Sequence, residues 1–127
     1  MATTTNAALA EFSGLVGNTG SKTAFTYVAV GTGTGAESAS DTTLGTEITD
    51  SGLERTTGTL TQETTTQTSD TLQIVKAFSV TGTKTIAEVA MFNDATTGTM
   101  AFREKLSTTK SVVSGDTYTL TAQIVFS

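Results

Sequence analysis

Apolar and polar positions alternate most regularly near residue 120. There Tyr118, Leu120, Ala122, Ile124 and Phe126 interleave with Thr117, Thr119, Thr121, Gln123 and Val125. A period of two sends successive side chains to opposite faces of a strand, so this segment predicts one buried face and one wet face. Leu72, Ile74, Phe78 and Val80 predict the same for 71–80, with Lys76 breaking the inward pattern. Further strands are expected over 24–30, 85–92 and 99–106, the last placing Met100, Phe102 and Leu106 on one face. The stretch GLERTTGTLTQE, 52–63, reads as one more strand of polar character. Turn residues at 81–83, 93–98 and 114–116 separate these runs. Period changes only at 5–17, where Leu9, Phe12 and Leu15/Val16 share a helical face at spacings of three and four. Thr5 or Asn6 can cap that helix and Gly17 or Asn18 can end it, closing one end of the core. The expected fold class is therefore all-β: an antiparallel β-sandwich or jelly-roll-like domain, residues 1–127, with one short N-terminal helix.

Between the first two strands lies a long surface loop, 31–50, which opens Gly31-Thr32-Gly33-Thr34-Gly35-Ala36. Its letters fit the dinucleotide fingerprint G-x-G-x-x-G/A. That fingerprint works only where its third position opens a helix inside a βαβ unit. Here Glu37-Ser38-Ala39-Ser40-Asp41-Thr42-Thr43 follows, without a helical apolar stripe, and the P-loop lysine is missing. No cofactor is expected. The glycines are read as letting the chain leave a sheet edge through positive φ angles, and neither this loop nor 52–63 is expected to be needed for the core.

Composition narrows the chemistry. About a quarter of the 127 residues are threonine, a residue suited to pleated strands with wet outer faces. There is no cysteine, histidine, tryptophan or proline. Disulfides, thiolate zinc sites, imidazole ligands and Ser-His-Asp or Cys-His nucleophile systems are thereby excluded. Without proline, edge strands need another form of protection, which favours assembly. The net charge is −5, and seven scattered basic residues form no cluster, so no nucleic-acid contact is expected. No apolar run reaches the roughly 18 residues of a membrane span, and MATTTNAALAEF lacks the basic start of a secretory signal.

The acids Asp41, Glu47, Asp50 and Glu54 follow no EF-hand spacing and read as a solvated loop rather than a metal site. No catalytic carboxylate pair is indicated. Glu47 with Arg55, and Glu104 with Arg103 or Lys105, are expected surface ion pairs worth about 0–1 kcal/mol each.

Several motifs together carry a family resemblance: the helix, FTYVAVGTGTG, SDTTLGTE with Arg55 after it, EVAMFNDATTGTMAFREKL and the closing SGDTYTLTAQIVF. This resembles small structural proteins of tailed bacteriophages, tail-fibre-like or decoration-type. The N-terminal half is similar to the first domain of phage tail-collar fibres. Val28, Val30, Gly31, Gly33, Asp41, Leu44, Glu47 and Arg55 match the first block of that pattern. Glu88, Val89, Phe92, Asn93, Gly98, Met100 and Arg103 match the second, while Ala90 stands where glycine is frequent.

The resemblance implies a non-enzymatic virion protein made in the host cytoplasm. The first expectation is a cement protein on the outer surface of the head, bound to the major capsid protein or other virion proteins. Placement on the tail, as fibre, collar or baseplate adaptor, is the alternative, and a glycan-binding module is the alternative of another class. A homo-oligomer, three copies about a local three-fold, is expected, and Thr32, Thr34, Glu37, Asp41, Glu54 and Arg55 are the expected partner contacts.

Overall fold

The structure, a computed structural model, describes residues 2–127. Its elements are β1 (Thr3–Thr4), α1 (Asn6–Gly17), β2 (Tyr27–Gly31), β3 (Thr56–Thr57), β4 (Thr59–Glu63), β5 (Thr71–Ser79), β6 (Lys84–Phe92), β7 (Met100–Val112) and β8 (Thr117–Val125). The strands form two antiparallel sheets, β1-β7-β6-β2-β3 and β4-β5-β8. The fold is an all-β sandwich with one short helix. Val28, Val30, Val89, Met91 and Phe102 of the larger sheet meet Ile74, Phe78 and Leu120 of the smaller one in a single core. Among the described residues no helix is long and apolar enough to cross a membrane.

The polar stretch 52–63 is two elements where the sequence suggests one. Thr56–Thr57 pairs with β2 in the larger sheet, and Thr59–Glu63 pairs with β5 in the smaller. Gly58 is the crossing point, its N–H donating to the Thr26 carbonyl. A Cβ there would lie 2.6 Å from Ile74 Cγ1 and 2.9 Å from the Val75 carbonyl oxygen. A strand that changes sheets closes a corner of the sandwich, and this corner is too tight for a side chain.

β6 departs from simple alternation, because Ile86 through Phe92 are all buried. Beyond the register shift between Ile86 and Glu88, odd and even positions meet different cores. Val89 and Met91 face the smaller sheet, whereas Ala90 and Phe92 join Ala29, Met100 and Leu44 in a second cluster. The cover over that second face is the loop 31–50. Contrary to the expectation that 31–50 and 52–63 are dispensable for the core, Leu44, Ile48 and Leu53 are buried. Leu44 caps the outer face of the larger sheet, while Ile48 and Leu53 join the core between the sheets.

The helix also sits differently from its pattern. Thr5 caps it by accepting from the Ala8 N–H and donates its hydroxyl to the Met100 carbonyl. Asn18, left-handed at φ 49°, closes it. The buried positions are Ala8 and Gly14, with Phe12 half-buried against the rings of Phe25 and Phe126. Leu9 is 58% exposed and Val16 88%. Small residues and the cap bring the helix onto β7, so most of the large apolar stripe lies beside the sandwich rather than under it.

Candidate functional site

On the outer face of the larger sheet, Glu88 occupies β6 opposite Gly31 of β2, and the loop 31–50 folds over it. Its side chain is fully buried. Oε2 accepts the N–H groups of Gly33 and Thr46, both at 2.8 Å, and Oε1 accepts the Gly45 N–H at 2.8 Å. Arg103, on β7 beside Ala90, donates Nε to Glu88 Oε1 at 2.9 Å. Its Nη1 reaches the Ala36 carbonyl and Asp41 Oδ2, and Nη2 the Gly35 carbonyl. Burial pushes the Glu88 carboxyl up, but the backbone N–H groups and Arg103 together outweigh it and hold it below the usual glutamate range. Burial acts against the Arg103 guanidinium, and its bonds to Glu88 and Asp41 raise it all the same.

This arrangement answers the glycine motif. None of Gly31, Gly33 and Gly35 has a positive φ, contrary to the reading of their role as turn formers. A Cβ on Gly33 would stand 2.3 Å from Glu88 Oε2, and one on Gly31 2.5 Å from the Thr46 carbonyl oxygen and 2.6 Å from Oε2. The loop does cradle an anion with backbone N–H groups, as phosphate loops do. The anion is the protein's own carboxylate.

A second node lies at Arg55. Its Nη2 and Nε hold Glu47 at 2.6 and 3.2 Å, and Nη1 donates to the Thr97 and Asp94 carbonyls. Its guanidinium carbon stands 3.5 Å over the centroid of Phe92. Arg55 thus clips the loop 31–50 to the turn after β6. The Glu47–Arg55 pairing expected from sequence is present, though Arg55 is only 7% exposed. Arg103 turns inward to Glu88 and Asp41 instead of pairing at the surface with Glu104.

Of the other sequence-derived contact positions, Asp41 braces Arg103 and Glu37 accepts the Lys105 N–H. Thr32 donates its N–H to the Thr46 carbonyl. Thr34 and Glu54 are exposed. The four acids Asp41, Glu47, Asp50 and Glu54 are dispersed: Asp41 to Arg103, Glu47 to Arg55, Asp50 to Lys84, and Glu54 to solvent. Among the described residues no three acids gather as metal ligands would.

Sequence reasoning missed the role of Glu88. The available signal was an acid flanked by apolar residues on both sides in KTIAEVAMF, a place where a charge must find buried partners. It also missed Asp70, which ties the turn before β5 by accepting the N–H groups of Thr65, Thr66 and Gln67 and the hydroxyls of Thr65, Thr66 and Thr71.

Among the described residues, two surfaces stand out as lacking a partner. One is an apolar groove of about 320 Å³ between the helix and the smaller sheet, lined by Phe12, Leu15, Phe25, Leu60, Leu72 and Phe126 among others. The other is the outer edge of β8. Nothing in either arrangement activates a nucleophile or poises a proton, whereas both are suited to contact.

Residues 2–125, nearly the whole chain, match the family model described as podophage GP4 fiber I protein gp80. No curated protein matches the chain.

Proposed function

The chain belongs to the podophage GP4 fiber I protein gp80 family, a bacteriophage fibre structural family, and on that premise we propose that it is a non-enzymatic component of the tail fibre apparatus. The family match over 2–125 carries this reading. The geometry is in keeping with it. The buried charges of Glu88, Arg103 and Arg55 are spent inside the chain on fixing a surface loop, and apolar side chains are left facing outward. The partners are other virion proteins and further copies of the chain, met through Thr34 of that rigid loop and Glu54 of the segment after it.

Binding only to the assembled particle stabilises it by mass action, about 2.7 kcal/mol per site at a hundredfold excess over Kd. Symmetric copies add avidity without new contacts. Head decoration keeps the acidic, threonine-rich surface in its favour, since such a surface suits solvent better than packaged DNA. The fibre family favours the tail.

Gold labelling of a tag inserted at the exposed turn 18–21 tests the placement on intact particles in negative stain. Label confined to the tail or its fibres is the expected result. Label spread over the head lattice would overturn the tail reading in favour of decoration.

A further inference from the structure

β4 keeps its register with β5 only from Glu63↔Thr71 to Thr59↔Val75, whereas β8 pairs with all nine β5 residues. The far end of β5, 76–79, therefore has no strand beside it on the β4 side among the described residues. The cause is the crossing at Gly58, which carries the chain over to β2. Upstream, the chain meets the end of β5 once more. Ser51 accepts the Thr81 N–H, and Gly52 presses on the Ser79 carbonyl too closely for a side chain. Between these contacts 53–57 bows away from β5. The bow leaves a hollow of about 380 Å³, lined by Glu54, Arg55, Thr56, Lys76, Ala77 and Phe78 among others.

Two unmatched groups border this hollow. The Val80 N–H donates to the Asp116 carbonyl and the Phe126 N–H to the Asp70 carbonyl, so even positions along β5 bond toward β8. Odd positions bond the other way, and at Ala77 no strand is there to pair with the N–H and C=O. Lys76 is the second group. It shares the core-facing side of β5 with Ile74 and Phe78, is half-buried, and has no ion pair among the described residues. The neighbouring charge of Arg55 is already taken by Glu47.

We infer that this hollow receives the C-terminal residue of another virion protein, its carboxylate on Lys76 and its backbone on Ala77. An N–H and a C=O side by side ask for a ligand carrying both an acceptor and a donor. A peptide end has both, whereas a free anion offers acceptors alone and would face the Ala77 carbonyl unmatched. Gly52 and Gly58 close the two ends of the hollow, so a strand cannot run through it, but a chain end can enter. The lysine without an ion pair sets the charge of that end. Glu54, exposed at the rim, disfavours a second acid beside the terminal carboxylate. Only the partner's identity as a virion protein rests on the fibre-family reading; capture of a carboxylate chain end does not.

Acetyl-trialanine with a free carboxylate, titrated into the isotope-labelled full chain, should shift the Ala77 amide resonance and saturate by about 10 mM. The C-terminal amide of the same peptide should bind about tenfold more weakly or worse. Lys76→Met keeps an unbranched stem between Ile74 and Phe78 and should erase the preference for the acid, whereas Lys22→Met should leave it intact. Equal binding of acid and amide, no shift at Ala77, or acetate binding as well as the peptide would each overturn the inference. So would an amidated acetyl-Ala-Asp-Ala that binds as well as the free acid, since a side-chain carboxylate would then suffice. Ala77 shifts that grow with protein concentration alone would place a second copy in the hollow and exclude a foreign chain end. If Lys76→Met does not fold, the comparison of acid with amide on the wild-type chain decides. Labelling on head or tail leaves this result untouched, so the two readings fail separately.

Discussion

Taking the Glu88 carboxylate out of water costs several kcal/mol, and Coulomb attraction to one arginine does not by itself offset that. The three backbone N–H groups tip the balance, and each is available only because Gly33 and its neighbours leave room for the carboxylate. Glu88→Gln keeps the shape but removes the charge, leaving Asp41 as the remaining carboxylate on Arg103. A loss of about 3–5 kcal/mol is expected in urea unfolding, with the loop 31–50 becoming open to proteolysis. Gly33→Ala puts a methyl group 2.3 Å from Glu88 Oε2 and should destabilise by about 1–3 kcal/mol. Gly35 has nothing within 4 Å of its missing Cβ, so Gly35→Ala should stay within about 0.5 kcal/mol of wild type. Equal losses at the two positions would show that steric room for the carboxylate is not why these glycines are there.

Among the elements, the helix shows best how pattern and packing part company. Its stripe of Leu9 and Val16 points outward, and its hold on the sandwich comes from Thr5, Ala8 and Phe12. Thr5→Ala removes both the cap and the buried bond to the Met100 carbonyl, and should lower stability by about 1–2 kcal/mol. Val16→Ser, at a position 88% exposed, should be close to neutral. A larger loss from Val16→Ser than from Thr5→Ala in thermal melts would mean that the apolar stripe is what anchors the helix. Gly58 sets the other element boundary. Gly58→Val would force a side chain onto Ile74 and the Val75 carbonyl where the strand changes sheets, at about 1–3 kcal/mol. An unchanged denaturation midpoint would refute the tight corner.

At the scale of the whole molecule, acid is the expected route to unfolding. Four carboxyls are held below their ordinary range. Asp50 is lowered first by its hydrogen bond from Lys84, Asp70 by the N–H groups of Gln67 and Thr65, and Asp94 by those of Thr96 and Thr97. At Glu88, burial opposes the shift and the hydrogen bonds prevail. Each of these groups binds its proton more weakly folded than unfolded. Their contribution is therefore complete above the unfolded values, near pH 4, and is lost as pH falls through the lower folded values. Urea midpoints should be level between pH 7 and pH 5 and drop steeply by pH 3. Asp70→Asn should make that drop shallower, and a midpoint independent of pH would exclude the linkage. The Glu88 ties also hold the loop 31–50 as a third layer over the larger sheet, which lets a chain with 36% hydrophobic residues bury both faces of that sheet.

Local periodicity carried the fold class. Alternation at Tyr118 to Phe126, the threonine content and the lone helix signal at 5–17 are short-range features, and short-range sterics alone turn them into strands and a helix. The elimination of cysteine and histidine chemistry also needed no coordinates. What the chain could not show locally was which face of each element meets which neighbour. Gly58 reads as a strand residue until two sheets compete for its flanks. The motif at Gly31 to Gly35 reads as a turn until Glu88, more than fifty residues away, fills the space that a side chain would take at Gly31 and Gly33. Arg103 finds Glu88 and Asp41 rather than its neighbour Glu104 for the same reason. Burial makes distant partners near and raises the penalty for a charge left without them, and burial belongs to the packed chain as a whole.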